Sequence, residues 1–420
     1  MTFNAAFHKA FQRMRGVFVR GVPMRICVIG LRGIPDVMGG IETHCQNLYP
    51  RLARLDDDLE ITVLGRTGYA PSGEYDGVRV RALWAPHRKG IETFVHTPLA
   101  LIYARLFIHP HVVHLHGVGP GLFAPLSRLL GFRTVATHHA ADYERPKWGP
   151  VGRRVLLAGE RLLAGFADQI VCVNETIARK LRSRYPRTKA RAQTIRNGAP
   201  VRPSTRSADR DVFERYGLQR GGYILAVGRL EPTKGFHDLI AAFRRAQPPG
   251  KKLVIVGGAI GDDRYCRTLL SQRSNDIIFT GFQKTATLRL LYENAALFVL
   301  PSSLEGSPLV VFEALAAGAP VALSNAAANV EIGLEPDLYF PVGNVDALTL
   351  VLSYPDYDAY RSTRAAAILK ENDWDEIARK HLIVFRKAAP AAAREDDAAS
   401  GRPHTAAAPQ PERSPANSVQ

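Results

Sequence analysis

The sequence predicts an α/β protein in which two doubly wound domains face a cleft. Its 420 residues exceed what one hydrophobic core usually holds, so two domains are expected. From Arg25 onward, short runs rich in β-branched residues alternate with helical segments, which is typical of parallel sheets covered by helices. The alternation stops at a stretch rich in proline, serine and arginine and then begins again. In such domains ligands bind at the carboxyl ends of the strands.

The strand and domain boundaries follow from this alternation. In the first half, strands are predicted at residues 25–30, 59–65, 78–84, 111–117, 133–139, 168–174 and 192–196. In the second half, they are predicted at residues 223–230, 252–257, 276–280, 296–301, 321–324 and 338–341. The chain therefore divides into an extension (1–23), a first domain (24–198), a linker (199–210), a second domain (211–372), a final helix (373–388) and a disordered tail (389–420).

Composition limits the class of protein. Hydrophobic residues make up 46% of the chain, which excludes general disorder. The 4 cysteines are widely spaced, so neither a disulfide framework nor a cysteine zinc site is expected, and a reducing compartment fits. No apolar run reaches the roughly 20 residues that a membrane span needs. The best candidate, residues 97–108, is short and contains Arg105.

The charge of the chain is strongly positive, with 55 Lys and Arg against 39 Asp and Glu, or +16. A basic surface attracts the phosphates of nucleic acids, nucleotide-linked substrates or anionic lipids, and it can equally be a solvated face without a partner. Against nucleic acid, the sequence holds no helix-turn-helix, RNA-recognition or zinc-finger pattern.

The extension carries apolar residues at helical spacing between basic ones: Phe3, Phe7, Phe11, Met14 and Phe18. It lacks the long apolar core of a secretory signal. It would either bind a membrane surface as a helix or form a non-structural leader that precedes a true start at Met24.

Several motifs of common enzyme classes are missing. The chain contains no GxGxxG, GxxxxGK(S/T), HExxH or GxSxG segment. Nicotinamide dehydrogenases, P-loop nucleotidases, zinc proteases and serine hydrolases of the usual kinds are therefore not indicated.

Four histidines in two neighbouring predicted strands could be read as metal ligands: His114, His116, His138 and His139. An HxH segment in a strand places both rings on one face of the sheet. No cysteine or acidic residue accompanies them at ligand spacing, so we predict no metal site and no cofactor.

The densest chemical pattern lies at residues 301–320, PSSLEGSPLVVFEALAAGAP. Ser307 is a suitable N-cap and Pro308 a suitable first helical residue, while Gly318 fits the position after the helix end. Glu305 would then lie in the loop before the helix, where exposed N–H groups suit a hydroxyl-rich or anionic ligand.

The spacing of Glu305 and Glu313 restricts their chemistry. At a helical rise of about 1.5 Å per residue, they would lie about 12 Å apart along the chain. A glycosidase acid and nucleophile lie about 5–10 Å apart, so this pair does not suit that reaction. Two carboxylates that grip different parts of one long ligand fit better. In the alternative, Glu305 caps a turn and Glu313 is an exposed charge on the helix.

Two further loops follow predicted strands. One places Arg229 and Lys234 at the carboxyl end of its strand, and a guanidinium with an ammonium suits a diphosphate. As an isolated surface pair, these two residues would contribute little. The first loop of the chain has paired glycines, Gly39 and Gly40, which allow close backbone approach to an oxygen-rich ligand.

At these residues the sequence resembles family 4 retaining glycosyltransferases of the GT-B fold. The E-x7-E motif of the family falls on Glu305 and Glu313, and its G-R-x4-K-G element falls on residues 228–235. The first half resembles a bacterial subgroup of rhamnosyl- and hexosyltransferases of surface-polysaccharide assembly. The segments that carry this resemblance are RGIP (32–35), GGIET (39–43), ETFVHT (92–97), HLHG (114–117), HAAD (139–142) and KWG (147–149). The resemblance covers about residues 24–388.

The resemblance implies roles for individual residues. Glu313 would hold the ribose of a nucleotide-sugar donor, Glu305 would hold its sugar, and His139 would sit across the cleft near that sugar. The catalytic residues would be Glu305, Arg229, Lys234 and His139. The donor-binding residues would be Gly39, Gly40, Arg229, Lys234, Glu305, Gly306, Ser307, Pro308, Leu309 and Glu313. The acceptor side would be formed by Glu42, His96, His116 and Asp142.

The resemblance also has implications for two loops and for the final helix. Ala140 stands where the subgroup usually has glycine, which bears on the shape of the loop that holds His139. The backbone amides from Gly306 to Leu309 would bind the donor sugar. The final helix would cross back onto the first domain and tie the cleft together.

The predicted reaction is metal-independent transfer of a hexosyl residue, with retention, from a nucleotide-sugar to a hydroxyl acceptor. The acceptor would be a saccharide, in particular a lipid-linked one of exopolysaccharide or O-antigen assembly. The enzyme would be cytoplasmic, peripheral at the inner face of the plasma membrane, with an anionic membrane surface as a partner and no nucleic acid. The alternatives are a nucleotide-sugar epimerase of the same fold and, in a different class, a nucleic-acid-binding protein.

Overall fold

The computed structural model describes residues 23–86, 91–146, 148–199, 211–258 and 264–389. Within these ranges the chain forms two α/β domains, each with its own largely parallel sheet, as the sequence predicts. Nearly all of the predicted extension, linker and tail lies outside the described residues.

The first domain is built on an 8-stranded sheet with strands in the order β3-β4-β2-β1-β5-β6-β7-β8. The strands are β1 (Met24–Ile29), β2 (Leu59–Arg66), β3 (Gly73–Tyr75), β4 (Val78–Leu83), β5 (Val112–His116), β6 (Arg133–His138), β7 (Gln169–Cys172) and β8 (Ala192–Thr194). All neighbours are parallel except β3 and β4. The helices are α1 (Gly40–Leu55), α2 (Ile91–Tyr103), α3 (Val118–Gly121), α4 (Ala124–Leu129), α5 (Pro150–Phe166) and α6 (Glu175–Arg184).

The second domain has a 6-stranded parallel sheet in the order β11-β10-β9-β12-β13-β14. The strands are β9 (Tyr223–Val227), β10 (Lys252–Val256), β11 (Ile277–Gly281), β12 (Leu297–Leu300), β13 (Val321–Ser324) and β14 (Tyr339–Phe340). The helices are α7 (Val212–Arg215), α8 (Phe236–Ala246), α9 (Arg264–Leu270), α10 (Thr285–Glu293), α11 (Leu309–Ala316), α12 (Ala327–Val330), α13 (Val345–Leu352) and α14 (Ala365–Glu371).

The strands form where the sequence has continuous apolar, β-branched runs, because parallel strands are covered on both faces. In β1, for example, Ile26 and Val28 belong to one core layer, while Cys27 and Ile29 belong to the layer on the other side of the sheet. Every predicted strand is present, with ends within three residues of the prediction. The short strand β3 was missed because its segment, Gly-Glu-Tyr, lacks that composition.

The strand order creates a switch point in each sheet. Strand β1 lies between β2, which follows it in the chain, and β5, which begins the other half of the sheet; β9 lies between β10 and β12 in the same way. Loops that follow such strands diverge, which leaves a crevice at their carboxyl ends. The glycine loop after β1 and the Arg229–Lys234 loop after β9 therefore begin at the two switch points.

The last described helix, α15 (Trp374–Ala388), packs in the core of the first domain although it follows the second. Trp374 and Phe385 are 1% and 0% exposed there. Ala199 forms a parallel bridge with Asp373, so the two crossings of the chain between the domains lie side by side. The carboxyl end of the described chain is thus anchored on the first domain.

One helix in the described ranges is long and apolar enough to cross a membrane by length and composition alone. It comprises α2 and the π-helical turn that follows it, Ile91–Ile108, with a mean hydropathy of 1.3. Ala100, Leu101 and Ala104 pack into the core of the first domain, whereas Phe107 is 67% exposed. This helix therefore covers the sheet with one face and leaves an apolar face uncovered.

Candidate active site

The candidate site is the cleft between the domains. A cavity of about 380 Å³ is lined from the first domain by the loop after β1, by one face of α1 and by the turn between β3 and β4. From the second domain it is lined by the segment before α10, by α10 itself and by Glu313 of α11. A smaller cavity of about 190 Å³ adjoins His138 and Glu160 on one side and Glu305 on the other. The two glutamates of the sequence motif therefore line separate cavities between the domains, which suits a long ligand.

Lys234 and Glu305 meet in the cleft although 71 positions separate them in the sequence. Lys234 Nζ donates a hydrogen bond to Glu305 Oε1 at 2.5 Å. The side chains of Lys234 and Glu305 are 13% and 9% exposed, so the pair is largely shielded from water. Arg229 lies on the same loop as Lys234, and its Nη2 donates to Glu231 at 3.1 Å.

A glycine brings the two motif loops together. Gly235 follows Lys234 with a left-handed φ of 66°, and a Cβ at this position would overlap the carbonyl oxygen of Pro301. Only glycine adopts this conformation without strain and allows so close an approach. The loop after β9 consequently packs against the end of β12, which places Lys234 beside Glu305.

Arg145 is a third cation in the cleft, and sequence reasoning missed it. It comes from the first domain, its Nε donates to Asp142 at 2.7 Å, and its Nη1 donates to Glu231 of the second domain. Its side chain is 10% exposed. One sequence feature could have indicated Arg145: it stands three residues after Asp142, in a loop that carries the family resemblance. Asp142, predicted on the acceptor side, thus holds a cation that spans the cleft.

The start of helix α11 differs from the prediction. Pro308 is the N-cap and the helix begins at Leu309, one residue later than predicted. Ser307 instead contacts the first domain: its carbonyl oxygen accepts from Asn197 Nδ2 at 3.2 Å, and its hydroxyl accepts from Asn197 N at 3.4 Å. Pro308 has no N–H, so it cannot be one of the predicted amide donors.

The N–H groups of Gly306 and Ser307 remain as candidate donors in this loop. Neither donates to another residue in the part of the chain that the structure describes. Gly318 follows the end of α11 with a left-handed φ of 72°, as predicted for a glycine after a helix end.

Glu313 projects from α11 into the larger cavity. Tyr292 of α10 donates its hydroxyl to Glu313 Oε2 at 3.0 Å. Burial raises the pKa of the Glu313 carboxyl above its ordinary value, although the hydrogen bond from Tyr292 opposes this shift. Tyr292 is a second residue that the sequence analysis missed, because its partner lies on a different helix.

The loop after β1 is held in shape by contacts between Arg32 and Glu42. Arg32 Nε donates to Glu42 Oε1 at 2.9 Å, and the backbone N–H of Arg32 donates to the same oxygen at 3.1 Å. Glu42 is 5% exposed, so its contacts shape the loop, and the predicted place on the acceptor surface is not supported. Gly39 packs tightly against this ion pair. Gly40, the first residue of α1, faces open space and is exposed, which suits close approach of a ligand.

Two predicted acceptor-side histidines are buried in the first domain. His96 is 0% exposed, and its Nε2 lies 2.9 Å from the carbonyl oxygen of Gly65. Burial lowers the pKa of His96 to about 4. His116 is also 0% exposed and contacts Tyr49 and His139. Neither imidazole reaches the surface of the cleft, because the strands and helices that carry them pack over both rings.

His139 lies where the two domains touch. It is half-buried, and its carbonyl oxygen stands so close to Gly306 that a Cβ there would overlap it. Asn174 Nδ2 donates to the carbonyl oxygen of Gly306 at 2.5 Å from the same side. Ala140 has a negative φ, so the loop after His139 does not need the glycine found in the subgroup.

The histidines that cluster in the structure differ from the four considered in the sequence analysis. The HxH pair, His114 and His116, does lie on one face, with ring centroids 4.2 Å apart. His138 turns away and contacts Glu160 at 3.0 Å. His44, on α1, brings a ring nitrogen within 4.8 Å of nitrogens of His116 and His139. Since His116 and His139 are hydrogen-bonded to each other at 2.8 Å, that contact occupies nitrogens that a metal ion would need.

Comparison with known proteins agrees with this architecture. Residues 38–202 match the family described as Glycosyltransferase Family 4, and residues 210–350 match the family described as Glycosyl transferases group 1. An uncharacterized glycosyltransferase of Methanocaldococcus jannaschii is 26% identical over 396 residues, which cover 86% of this chain and 98% of the relative.

Solved structures show the same fold at low sequence identity. Sucrose-phosphate synthase of Thermosynechococcus elongatus has a TM-score of 0.72 and 20% identity, covering 87% of this chain and 98% of that one. HepE of Anabaena, solved in complex with UDP-glucose, has a TM-score of 0.66 and 19% identity, covering 86% and 99%. The predicted GT-B fold is confirmed.

The two sheets, the cleft between them and the two matched domains define a glycosyltransferase of the GT-B type. These matches do not favour an epimerase or a nucleic-acid-binding protein.

Proposed function

We propose that this chain transfers a hexosyl residue, with retention, from a nucleoside-diphosphate sugar to a hydroxyl acceptor. The observation that carries the proposal is the contact of Lys234 with Glu305, with Arg229 on the same loop and Glu313 in the larger cavity. HepE, a structural neighbour, was solved with UDP-glucose, which supports a donor of this class.

In this mechanism the diphosphate lies along Arg229 and Lys234, and Glu305 turns from Lys234 toward the sugar. The bond between the anomeric carbon and the phosphate oxygen breaks, and the two cations stabilise the charge that develops on the leaving group. The N–H groups of Gly306 and Ser307 add donors beside them. The acceptor oxygen bonds to the anomeric carbon on the same face, and its proton passes to the departing phosphate. The cations supply the charge that a metal ion supplies in other transferases, so the reaction is metal-independent.

Removal of either cation tests the proposal. In Lys234→Ala and Arg229→Ala, kcat is expected to fall about 100-fold or more, because each cation stabilises the transition state. The donor is first identified by thermal stabilisation with a panel of nucleotide-sugars, and turnover is then followed by release of the nucleoside diphosphate. Arg245→Ala is the control, since Arg245 forms an exposed ion pair with Asp346 in the same domain. Near-normal rates in either cleft variant, or loss of activity with a chelator, would contradict the mechanism.

We further propose that the acceptor is a lipid-linked saccharide of exopolysaccharide or O-antigen assembly, and that the cytoplasmic enzyme works at the inner face of the plasma membrane. The uncovered apolar face of helix Ile91–Ile108 supports this proposal, since Leu106 and Phe107 are 60% and 67% exposed. The exposed side chain of Arg105 lies among them and would meet anionic headgroups.

The membrane proposal predicts binding to vesicles that contain anionic lipid. The double variant Leu106→Glu with Phe107→Glu should lose most of this binding while keeping activity on a soluble acceptor. Leu350→Glu is the matched control, because Leu350 is 73% exposed on the second domain. Sedimentation with vesicles measures the binding. Equal binding by the double variant and the control would show that Leu106 and Phe107 do not contact the membrane.

A further inference from the structure

A continuous chain of hydrogen bonds runs from the core of the first domain to His139, whose carbonyl oxygen stands against Gly306 of the second domain. We call its five side chains the histidine relay: Thr137, His114, Tyr49, His116 and His139. Thr137 Oγ1 lies 2.7 Å from His114 Nε2, and His114 Nδ1 lies 2.8 Å from the Tyr49 hydroxyl. That hydroxyl lies 2.5 Å from His116 Nε2, and His116 Nδ1 lies 2.8 Å from His139 Nε2.

Each histidine of the relay is a neutral ring. Burial is the main cause that lowers the pKa of His114, His116 and His139 well below the ordinary value. Neighbouring imidazoles, among them His44 and His381, lower it further because two adjacent rings cannot both be charged. A neutral imidazole has one N–H donor and one acceptor nitrogen, and a hydroxyl has one hydrogen to donate. Each bond of the relay therefore fixes the direction of the next.

The direction follows from the buried end. Thr137 is 0% exposed, and its hydroxyl contacts no hydrogen-bond acceptor other than His114 Nε2 among the residues that the structure describes. A buried hydroxyl hydrogen without an acceptor is costly, so Thr137 donates to His114 Nε2. It follows that His114 Nδ1–H donates to Tyr49, Tyr49 donates to His116 Nε2, and His116 Nδ1–H donates to His139 Nε2.

We propose that the histidine relay holds His139 in the Nδ1–H tautomer, so that the ring that the resemblance places near the donor sugar has an N–H group to donate to it. Because His139 Nε2 is taken by His116, Nδ1 is the nitrogen left for a ligand. Tyr49 and His116 contact no ligand and act as positioning residues. This role of His139 rests on the proposed function, because it concerns the same donor site.

The neighbours of His139 define its surroundings. His44 Nδ1 lies 2.8 Å from Asn197 Oδ1, and Asn197 Nδ2 donates to Ser307 O, which identifies Oδ1 as the acceptor. His44 thus carries its proton on Nδ1, and its Nε2 is an acceptor facing the cluster. The half-buried ring of His139, whose carbonyl oxygen stands against Gly306, sits beside the loop that would bind the sugar.

Tyr49→Phe removes the hydroxyl in the middle of the relay. His116 can then place its proton on either nitrogen, and His139 is no longer held in one tautomer. We expect kcat to fall about tenfold, the effect of one lost hydrogen bond, with the KM of the donor changed less than twofold. Tyr223→Phe is the matched control: Tyr223 is fully buried in the second domain, and its hydroxyl donates to Leu291 O at 2.6 Å.

Repeating Tyr49→Phe in variants of His139 distinguishes an effect on the orientation of the His139 N–H group from an effect on the stability of the fold. His139→Asn places an amide N–H close to the position of Nδ1–H and needs no relay to orient it. It should keep more activity than His139→Gln, and Tyr49→Phe should then have no further effect on kcat. An equal effect of Tyr49→Phe in both backgrounds would overturn the proposal, because it would show that Tyr49 acts only through the fold.

A spectroscopic readout does not depend on turnover. In ¹⁵N-histidine-labelled protein at pH 7, long-range ¹H–¹⁵N spectra should show His139 as the Nδ1–H tautomer, with its signals identified by their loss in His139→Asn. Tyr49→Phe should shift these signals toward a mixture of tautomers. An Nε2–H tautomer of His139 in the unaltered protein would overturn the relay even if glycosyl transfer is confirmed. The expected spectra with no transfer activity would overturn the proposed function alone.

Discussion

The three cations of the cleft are held by carboxylates before any ligand binds. Lys234 contacts Glu305 at 2.5 Å, while Arg229 and Arg145 both contact Glu231. A cation in a shielded site would be costly without such a partner, so these pairs keep the side chains in place. In the proposed mechanism a diphosphate brings its own negative charge and replaces the carboxylates. Donor binding would then exchange one set of ion pairs for another.

Glu313 allows a test at the scale of a single residue. Glu313→Gln keeps an oxygen that can accept from Tyr292 but removes the charge that would hold the ribose hydroxyls. The KM of the donor should rise about tenfold with kcat changed less than threefold, as expected when uniform binding is lost. Initial rates over a range of donor concentrations measure both. Glu376→Gln, in an exposed pair with Arg379, is the control, and an unchanged donor KM in Glu313→Gln would refute the ribose assignment.

At the scale of elements, the site depends on loops that only glycine allows to approach. Gly235 lets the loop after β9 pack against the end of β12, and Gly306 lets the loop before α11 touch the carbonyl oxygen of His139. The first contact assembles the cation and carboxylate within one domain. The second sets how closely the domains can approach each other.

Gly306→Ala should therefore hold the cleft open. The added Cβ would overlap the carbonyl oxygen of His139, so the loop or the domain must move away. We expect kcat to fall about tenfold or more, since small displacements of positioning groups have large effects on rate. Gly165→Ala is the control, because it adds the same methyl group in open space on helix α5. Unchanged turnover in Gly306→Ala, measured with the donor at saturation, would show that this contact is not needed.

At the scale of the whole molecule, several polar contacts join the domains beside the chain crossings. Asn174 and Asn197 of the first domain donate to Gly306 and Ser307 of the second. Glu331 of the second domain accepts from the N–H groups at the start of α6 at 2.8 Å and 2.7 Å. These contacts and helix α15 hold the two domains together beside the cleft.

Buried neutral histidines should make the fold sensitive to acid. Burial lowers the pKa of His44 and His96 to about 4 and that of His381 to about 3, against an ordinary value of 6.5. The unfolded chain therefore binds more protons below pH 6.5, and the free energy of unfolding falls as the pH falls from 6.5 toward 4. One such histidine contributes about 3 kcal/mol over that range.

Chemical unfolding between pH 7 and pH 4.5 measures this dependence. His381→Asn should flatten the slope of unfolding free energy against pH, since it removes one titrating group and keeps a donor for the carbonyl oxygen of Ile377. His109→Asn, at an exposed position, should leave the slope unchanged. Equal slopes for all three proteins would contradict the role of His381.

Local chemistry made much of the fold and part of the site predictable. Apolar β-branched runs marked the strands, and Gly318 marked the end of α11, because these signals depend only on neighbours in the chain. Arg145 and Tyr292 gave no comparable signal, since each is defined by a partner on another element. The burial of His96 and His116 was not predicted, because a motif does not show which side of a strand or helix is covered.

The sequence by itself determined the two parallel α/β domains, the loops that carry Arg229, Lys234 and Glu305, and the class of enzyme. The domains and loops follow from periodicity, turn residues and motif spacing, which are local properties. The class of enzyme follows from the resemblance to family 4 glycosyltransferases. Only the tertiary structure decided which charges pair across the cleft, which histidines are buried, and how the histidine relay connects the core to His139. Those contacts join residues far apart in the chain, and their geometry is set by how the two sheets and helix α15 pack.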